Sequence, residues 1–150
     1  MSAQRLILYA EDDTNDAFLL ARAFEKVGIE WPLRVVNDGQ EAIAYLSALP
    51  PFEDRAQHPL PGLLLLDLKM PRKTGLEVLK WVRTTSQICT LPVLMLTSSN
   101  LETDVHRAYL LGANGYLVKP NNPRELLSMV EAIRSFWLQQ NCPDFRLGPT

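Results

Sequence analysis

The chain has 150 residues, of which 47% are hydrophobic and 21% are charged, and this length predicts one domain that buries a core without disulfides or a structural metal. The formal net charge of -2 argues against a general affinity for nucleic acid or anionic lipid. The two cysteines lack a CxxC spacing and are predicted to be reduced thiols, the polar N-terminus does not resemble a signal peptide, and no apolar run reaches membrane-spanning length. We therefore predict a soluble, cytoplasmic protein that binds neither nucleic acid nor membranes, with its core over about residues 5–139 and a loosely ordered tail over 140–150.

Two pairs of a strand and a helix are predicted in the first third of the chain. A short apolar strand over Leu6–Tyr9 leads into three acids and then into a helix over Thr14–Val27, whose apolar residues recur at helical spacing and which Gly28 ends. A second strand over Leu33–Val36 is followed by a capping-box pattern at Asp38, which begins the second helix.

A loop and then a central strand follow. The segment from Pro50 to Pro61 is rich in proline and charge and is predicted to be a surface loop, in which His58 is solvated because no second histidine or cysteine lies near it. The four leucines of Leu63–Leu66 are bounded by proline and glycine and predict a strand buried on both faces, as in the centre of a parallel sheet. Such a strand places the next residue, Asp67, at the carboxyl edge of the sheet, where open α/β sheets bind ligands.

The rest of the chain repeats the alternation of strand and helix. Two more strands are predicted, over Pro92–Thr97 and Tyr116–Val118. The helices around them have start signals of three kinds: a cap at Thr74, a capping box formed by Ser98–Asn100 and Glu102 for a helix over Leu101–Leu111, and Asn122 as N-cap with Pro123 at the first position of a long final helix.

The pattern is therefore a strand followed by a helix, five times over. At this length it predicts an α/β fold with a doubly wound, flavodoxin-like parallel sheet and not an eight-unit barrel. Right-handed crossovers and the strand order 2-1-3-4-5 place the first and third strands side by side.

Polar residues at four strand ends are expected to converge at the carboxyl edge of this sheet. Glu11, Asp12 and Asp67 would repel one another there unless a cation neutralised them, and an all-oxygen set without histidine or cysteine favours Mg²⁺. Lys119 and Thr97 would then bind phosphate oxygens, and Asp67 would be the nucleophile. Alone, Thr97 reads as a turn residue and Lys119 as a solvated charge, and Asp13 reads as a helix N-cap and not as a ligand.

With these residues, the chain resembles the receiver domain of two-component response regulators over Leu6–Trp137. The matching motifs are Glu11-Asp12 after the first strand, Leu66-Asp67-Leu68-Lys69-Met70-Pro71 with the later Gly75, Thr97-Ser98, and Gly115-Tyr116-Leu117-Val118-Lys119-Pro120.

The resemblance implies a role for each of these positions. Asp67 would be the phosphoacceptor, and Mg²⁺ would be bound by Asp12, by Asp67, by the main-chain carbonyl of Lys69 and, through water, by Glu11. Lys119 and Thr97 would hold the phosphoryl group, Thr97 and Tyr116 would form the conformational switch, and the Lys119–Pro120 peptide bond would be cis. Such a protein is not an enzyme, because it catalyses only its own phosphorylation and dephosphorylation.

A narrower resemblance concerns the loop from Pro50 to Pro61 and the ending Ser135-Phe136-Trp137-Leu138, which are similar to the small response regulators of cyanobacterial phytochrome kinases. It implies a single receiver domain without an output domain, a sensor histidine kinase of the phytochrome type as partner, and a downstream phosphotransfer or output protein. The consecutive residues Phe136, Trp137 and Leu138 cannot all face one core at helical spacing, so this segment is predicted to form an interface in a homodimer or with the kinase.

Two other classes of protein are alternatives to a signalling regulator, a phosphatase and an interaction module or phosphate sink. A phosphatase of the haloacid dehalogenase type would need a D-x-D nucleophile motif on the first strand, whereas this chain carries its acceptor after the third. An interaction module that works without phosphorylation, or a phosphate sink in a phosphorelay, is the alternative to a signalling regulator.

Overall fold

The computed structural model of the chain describes residues 5–144, and within this range five strands alternate with five helices. The strands are β1 (Ile7–Ala10), β2 (Leu33–Val36), β3 (Leu63–Leu66), β4 (Val93–Thr97) and β5 (Gly115–Val118). The helices are α1 (Thr14–Val27), α2 (Gly39–Leu46), α3 (Gly75–Thr84), α4 (Glu102–Leu110) and α5 (Pro123–Ile133), and a π-helical segment over Arg134–Gln140 extends α5.

The sheet has the predicted topology. Its five strands are all parallel and lie in the order β2-β1-β3-β4-β5, so that β1 and β3 are neighbours. Ala10 at the end of β1 pairs with Leu66 at the end of β3, and Thr97 at the end of β4 pairs with Val118 in β5. The carboxyl ends of these four strands therefore meet at one edge.

The core lies on both faces of the sheet, and β3 contributes to both halves. Leu64 and Leu66 pack in the cluster that α2 and α3 cover, whereas Leu63 and Leu65 pack in the cluster that α1 and α5 cover. All four side chains are buried, because successive residues of a strand point to opposite faces and helices cover each face. Each leucine contributes roughly 1.5–3 kcal/mol by its burial.

Side-chain caps explain where four of the five helices begin. Asp13, Asp38, Thr74 and Asn122 accept hydrogen bonds from backbone N–H groups of α1, α2, α3 and α5. The predicted capping box at α4 is wrong: this helix begins after Leu101 without a side-chain cap. Ser99 lies two residues before the N-cap position, and its hydroxyl accepts from the N–H of Leu101 at 3.3 Å, ahead of the helix, while donating to the carboxylate of Asp104 at 2.6 Å.

The loop after α2 is packed more firmly than its composition predicts. His58 is half-buried with its ring 5.3 Å from that of Phe52 and 5.8 Å from that of Tyr45, and Arg34 donates to its Nδ1 at 2.8 Å. The prediction of a solvated His58 is therefore wrong. Arg55 donates to the carbonyl oxygens of Tyr45 and Leu46 at the end of α2, where the last carbonyl groups of a helix have no partner within the helix.

The end of α5 differs from a regular helix. In the π-helical segment hydrogen bonds run from i to i+5, and this wider turn lets the consecutive Trp137 and Leu138 both pack against the core, while Phe136 is 53% exposed. The expectation that at least one of these three residues is exposed is confirmed. Cys89 and Cys142 are free thiols, and residues 145–150 of the predicted tail lie outside the described residues.

Two further expectations are settled within residues 5–144. The single cis peptide bond in this range is Pro50–Pro51, so the implied cis bond at Lys119–Pro120 is wrong. The trans form of an X–Pro bond is lower in energy by about 0.5–1 kcal/mol, and a Lys-Pro pair in the sequence does not by itself select the other isomer. None of the helices in this part of the chain has the length and apolar content needed to cross a membrane.

Candidate acidic site at the carboxyl edge of the sheet

A pocket of about 430 Å³ opens at the edge where the carboxyl ends of β1, β3, β4 and β5 meet. The sequence predicts six residues for this site, and all of them line the pocket: Glu11, Asp12, Asp67, Lys69, Thr97 and Lys119. The predicted convergence of strand ends is therefore what the structure shows, while the chemical role of each residue stays a prediction.

The ammonium group of Lys119 lies at the centre of this pocket. Its Nζ is 2.7 Å from Oδ2 of Asp67 and 2.8 Å from Oδ2 of Asp16, and it also forms an ion pair with Oε1 of Glu11. A lysine ammonium has three N–H donors, so each carboxylate takes one of them. Burial alone would lower the pKa of Lys119, but its hydrogen bonds with the three carboxylates outweigh burial and raise the pKa above its usual value.

Glu11 is buried, and each of its two carboxylate oxygens accepts a hydrogen bond. The Tyr9 hydroxyl donates to its Oε1 at 2.8 Å, and the backbone N–H of Asp13 donates to its Oε2 at 3.2 Å. Burial and the neighbouring Asp67 together raise the pKa of Glu11 to about 7, against the opposing effect of Lys119. Near neutral pH, Glu11 therefore holds a proton more readily than Asp67 does.

Asp67 follows β3 and is also buried. Burial would raise its pKa, but hydrogen bonds with Glu11 and Lys119 outweigh that effect and lower the pKa below its usual value. The backbone N–H of Lys69 points to the other oxygen of Asp67 at 3.4 Å. Asp67 is therefore a buried side chain that stays ionised, which suits a nucleophile.

Gly75 fixes the loop that carries Asp67. Its N–H donates to the carbonyl oxygen of Leu68 at 2.9 Å, and a Cβ at this position would lie 2.1 Å from the carbonyl oxygen of Asp67. The start of α3 approaches the end of β3 so closely that only glycine fits.

The carboxylates also suit a metal ion. One oxygen each from Glu11, Asp12 and Asp67 lies within 4.8 Å of the others, and Asp12 is exposed, so solvent reaches the group. These ligands are all oxygen, and a hard divalent cation is the ion that such a set fits. The cation would relieve the repulsion between Glu11 and Asp67, which adds to the effect of burial on the pKa of Glu11.

Thr97 and Tyr116 meet at the loop that follows β4. Thr97 is buried, and its hydroxyl oxygen lies 3.5 Å from the backbone N of Ser99. Tyr116 does not line the pocket, and its hydroxyl instead donates to the carbonyl oxygen of Ser99 at 3.0 Å. The two predicted switch residues are thus connected through Ser99.

Comparison with known proteins identifies the family. A family model described as the response regulator receiver domain matches residues 7–131. The chain belongs to the response regulator receiver family. This receiver has the five-stranded parallel fold of solved response regulators, and a pocket lined by acids lies at the carboxyl edge of its sheet.

Several relatives of this receiver cover nearly all of its length. Response regulator Rcp1 from Synechocystis sp. PCC 6803 is 37% identical over 135 residues, which is 90% of each chain. The crystal structure of the Mn²⁺-bound form of Rcp1 matches with a TM-score of 0.84 and 36% identity over 93% of this chain and 99% of that one. The phosphorylated cyanobacterial phytochrome response regulator RcpA matches with a TM-score of 0.86 and 32% identity, over 94% of this chain and 99% of its own.

A third solved structure is similar to this receiver over nearly its whole length. It is response regulator RPA3017 in red light signalling of R. palustris, with a TM-score of 0.88 and 32% identity over 93% of this receiver and 98% of that chain.

Asp16 is the residue of this site that the sequence did not reveal. It occupies the first turn of α1, where an acid is expected for its favourable interaction with the helix dipole, and this ordinary explanation hides its contact with Lys119. The available signal was its position one turn after Asp12 and Asp13, which keeps its side chain at the same edge of the sheet.

The position of Lys119 among three carboxylates predicts a large cost for its removal. We expect Lys119→Met to lower the free energy of unfolding by about 3 kcal/mol at pH 8, because it leaves buried carboxylates without their counter-charge. This loss of stability should be smaller at pH 5. Without Lys119, the buried carboxyls bind protons more readily in the folded variant than in the unfolded chain, so lowering the pH favours the folded state. Urea denaturation followed by circular dichroism measures both values.

Lys80→Met is the matched control, since Lys80 is exposed on α3. A Lys119→Met variant as stable at pH 8 as this control would contradict a structural role for the ammonium group.

Proposed function

We propose that this receiver takes a phosphoryl group from a phosphohistidine of a sensor histidine kinase onto Asp67 and then changes the surface that it presents to partners. The observation that carries the proposal is the contact of Asp67 Oδ2 with Lys119 Nζ, at 2.7 Å, in a pocket that also contains the carboxylates of Glu11 and Asp12. It unites a buried nucleophile, a cation for the phosphoryl oxygens and oxygen ligands for a metal ion.

The proposed cofactor is Mg²⁺. Asp12, Asp67 and the main-chain carbonyl of Lys69 would bind it directly, and Glu11 would bind it through water. The close group of three carboxylates supports this assignment, and so does the similarity to Rcp1, which has been crystallised in a Mn²⁺-bound form. Bound Mg²⁺ would offset the negative charge on the carboxylates and on the phosphoryl oxygens.

In the transfer step, an oxygen of Asp67 forms a bond to phosphorus while the bond from phosphorus to the histidine nitrogen breaks, and its electron pair stays on the nitrogen. Asp67 loses its own charge as it becomes an acyl phosphate. The Lys119 ammonium then pairs with one phosphoryl oxygen, where the negative charge now lies, and the Thr97 hydroxyl donates to a second phosphoryl oxygen. Attack by water on phosphorus later restores the carboxylate, so these two reactions are the protein's only chemistry. The similarity to RcpA, which has been crystallised in a phosphorylated form, supports phosphorylation of this receiver.

The proposed switch couples this chemistry to the surface. When Thr97 turns toward the phosphoryl group, it leaves space that the Tyr116 ring fills, and the surface of α4 and β5 repacks. The present contact of the Tyr116 hydroxyl with the carbonyl of Ser99 would break in that movement. This state of the surface is what a downstream phosphotransfer or output protein would recognise.

The proposed donor is a histidine kinase of the phytochrome type in the cytoplasm. Its support is the similarity to RcpA, a response regulator of a cyanobacterial phytochrome, and to RPA3017, a response regulator in red light signalling.

The first test is phosphorylation of Asp67→Asn. We expect the wild-type protein to take up label from ³²P-acetyl phosphate, and from a phosphorylated phytochrome-type kinase, when Mg²⁺ is present, and the variant to take up less than about 1% as much, because an amide cannot act as the nucleophile. Removal of Mg²⁺ by EDTA should abolish the wild-type labelling.

Glu53→Gln removes one carboxylate from the exposed loop after α2 and should label like the wild type. Label on Asp67→Asn would show that the acceptor is misassigned. A wild-type protein that takes label from neither donor would favour a binding module that works without phosphorylation.

Lys69 is expected to control how long the phosphoryl group persists. Its side chain is exposed at the pocket, two positions after Asp67, where a cation can partly cover the phosphoryl group against water. We expect Lys69→Asn to change the rate of dephosphorylation by about threefold or more, measured as loss of label after removal of the donor. Lys80→Asn on α3 is the control, and an unchanged rate in Lys69→Asn would mean that Lys69 is merely solvated.

We also propose that the segment Phe136–Leu138 contributes to a homodimer or kinase interface. Trp137 and Leu138 pack inward, so Phe136 is the residue that a partner would contact. We expect sedimentation velocity to detect a dimer that Phe136→Ala weakens about tenfold or more, on the scale of one buried aromatic residue at an interface. Phe18→Ala, which removes an aromatic ring that is 58% exposed on α1, is the matched control. A monomer at all concentrations, with and without phosphorylation, would contradict the dimer.

A further inference from the structure

Asp16 differs from the other two carboxylates that hold Lys119. Its side chain is 33% exposed, whereas those of Glu11 and Asp67 are buried, and its Oδ2 lies 2.8 Å from Nζ. It comes from the first turn of α1, while Glu11 and Asp67 follow β1 and β3. Lys119 is therefore held on one side by the sheet and on the other by a helix.

Asp16 also stands apart from the group of carboxylates that suits a metal ion. That group consists of Glu11, Asp12 and Asp67, so a bound cation would compete with Lys119 for two of its three partners. After phosphorylation of Asp67, a phosphoryl oxygen would accept the Lys119 N–H that the Asp67 carboxylate accepts now. Asp16 is the partner of Lys119 that remains after both metal binding and phosphorylation.

The local structure holds Asp16 in place for this contact. Its backbone N–H donates to Oδ1 of Asp13, the N-cap of α1, at 3.1 Å. The positive end of the helix dipole at this turn favours a negative charge on the side chain. Asp16 is thus a charged group on a rigid element, which is what a positioning residue requires.

We propose that Asp16 is a positioning residue that keeps the Lys119 ammonium at the pocket during phosphoryl transfer, an inference that rests on the function proposed above. The lysine side chain is long and flexible, so an ammonium released by Glu11 and Asp67 would leave the reacting position without a further tether. The Asp16 carboxylate supplies that tether while leaving two N–H donors for the phosphoryl oxygens.

Three variants test this role by the initial rate of labelling from ³²P-acetyl phosphate at saturating Mg²⁺. In this reaction a bond forms from Asp67 to phosphorus, and acetate leaves. We expect Asp16→Asn to slow labelling about five- to tenfold, the scale of one charge-assisted hydrogen bond in a partly exposed position. Asp16→Glu should restore at least about half of the wild-type rate, because it keeps the charge. Glu25→Gln, which removes an exposed carboxylate from the same helix, should label at the wild-type rate.

A measurement without phosphorylation keeps the two proposals distinguishable. In the metal-free protein, the ¹H–¹⁵N signal of the Lys119 ammonium should be visible through its protection from exchange, and it should weaken or disappear in Asp16→Asn but not in Glu25→Gln. If the wild type takes up no label, the proposed function fails and the ammonium signal alone decides whether Asp16 holds Lys119. If the wild type labels normally and Asp16→Asn labels as fast as Glu25→Gln, or faster, the positioning role of Asp16 is overturned.

Discussion

The ion pairs between Lys119 and the carboxylates of Glu11, Asp16 and Asp67 are the interaction on which the arrangement of this protein depends. Two of these acids are buried, and a buried carboxylate without a partner is costly enough that it would bind a proton or unfold its surroundings. The ammonium comes from the end of β5, and it reaches past β4 to partners that follow β1 and β3. The charged groups therefore require the same strand order that the hydrophobic core produces.

The core makes this edge rigid enough to hold such a site. The leucines of β3 are buried on both faces, so the position of Asp67 is set by packing along the whole strand and not by its own loop. Gly75 then lets α3 start directly against the carbonyl of Asp67, which leaves that loop little freedom. The rigid strand and loop keep the carboxylates close to one another, although their mutual repulsion favours any movement that separates them.

Much of this arrangement follows from the sequence, and the exceptions share a physical cause. The run Leu63–Leu66, the caps at Asp13 and Thr74 and the alternation of strands and helices are local signals, and fixed rules of crossover handedness convert them into the strand order. Asp16, His58 and Ser99 escape prediction because each has an ordinary local role that fits its position, while its actual partner is supplied by folding. Lys119 reaches Asp16 across 103 positions of sequence and Arg34 reaches His58 across 24, and no local pattern contains such pairs. Ser99 is a local exception: its hydroxyl donates to Asp104 at 2.6 Å and accepts from the N–H of Leu101 at 3.3 Å, while α4 begins only at Glu102, so the capping box predicted from Ser99 and Glu102 does not form.

Ser99 links the acidic pocket to the surface of α4. Its backbone N faces the Thr97 hydroxyl, its carbonyl accepts from Tyr116, and its own hydroxyl donates to Asp104 on α4. The contact with Thr97 is the longest of the three, at 3.5 Å, so in the proposed switch the Thr97 hydroxyl would give up only a weak bond to Ser99. In that switch, the stronger bonds of Ser99 to Tyr116 and Asp104 would rearrange afterwards. In the proposed switch, the same small loop that senses the phosphoryl group therefore sets the position of α4, and the exposed residues of that helix carry the change to a partner.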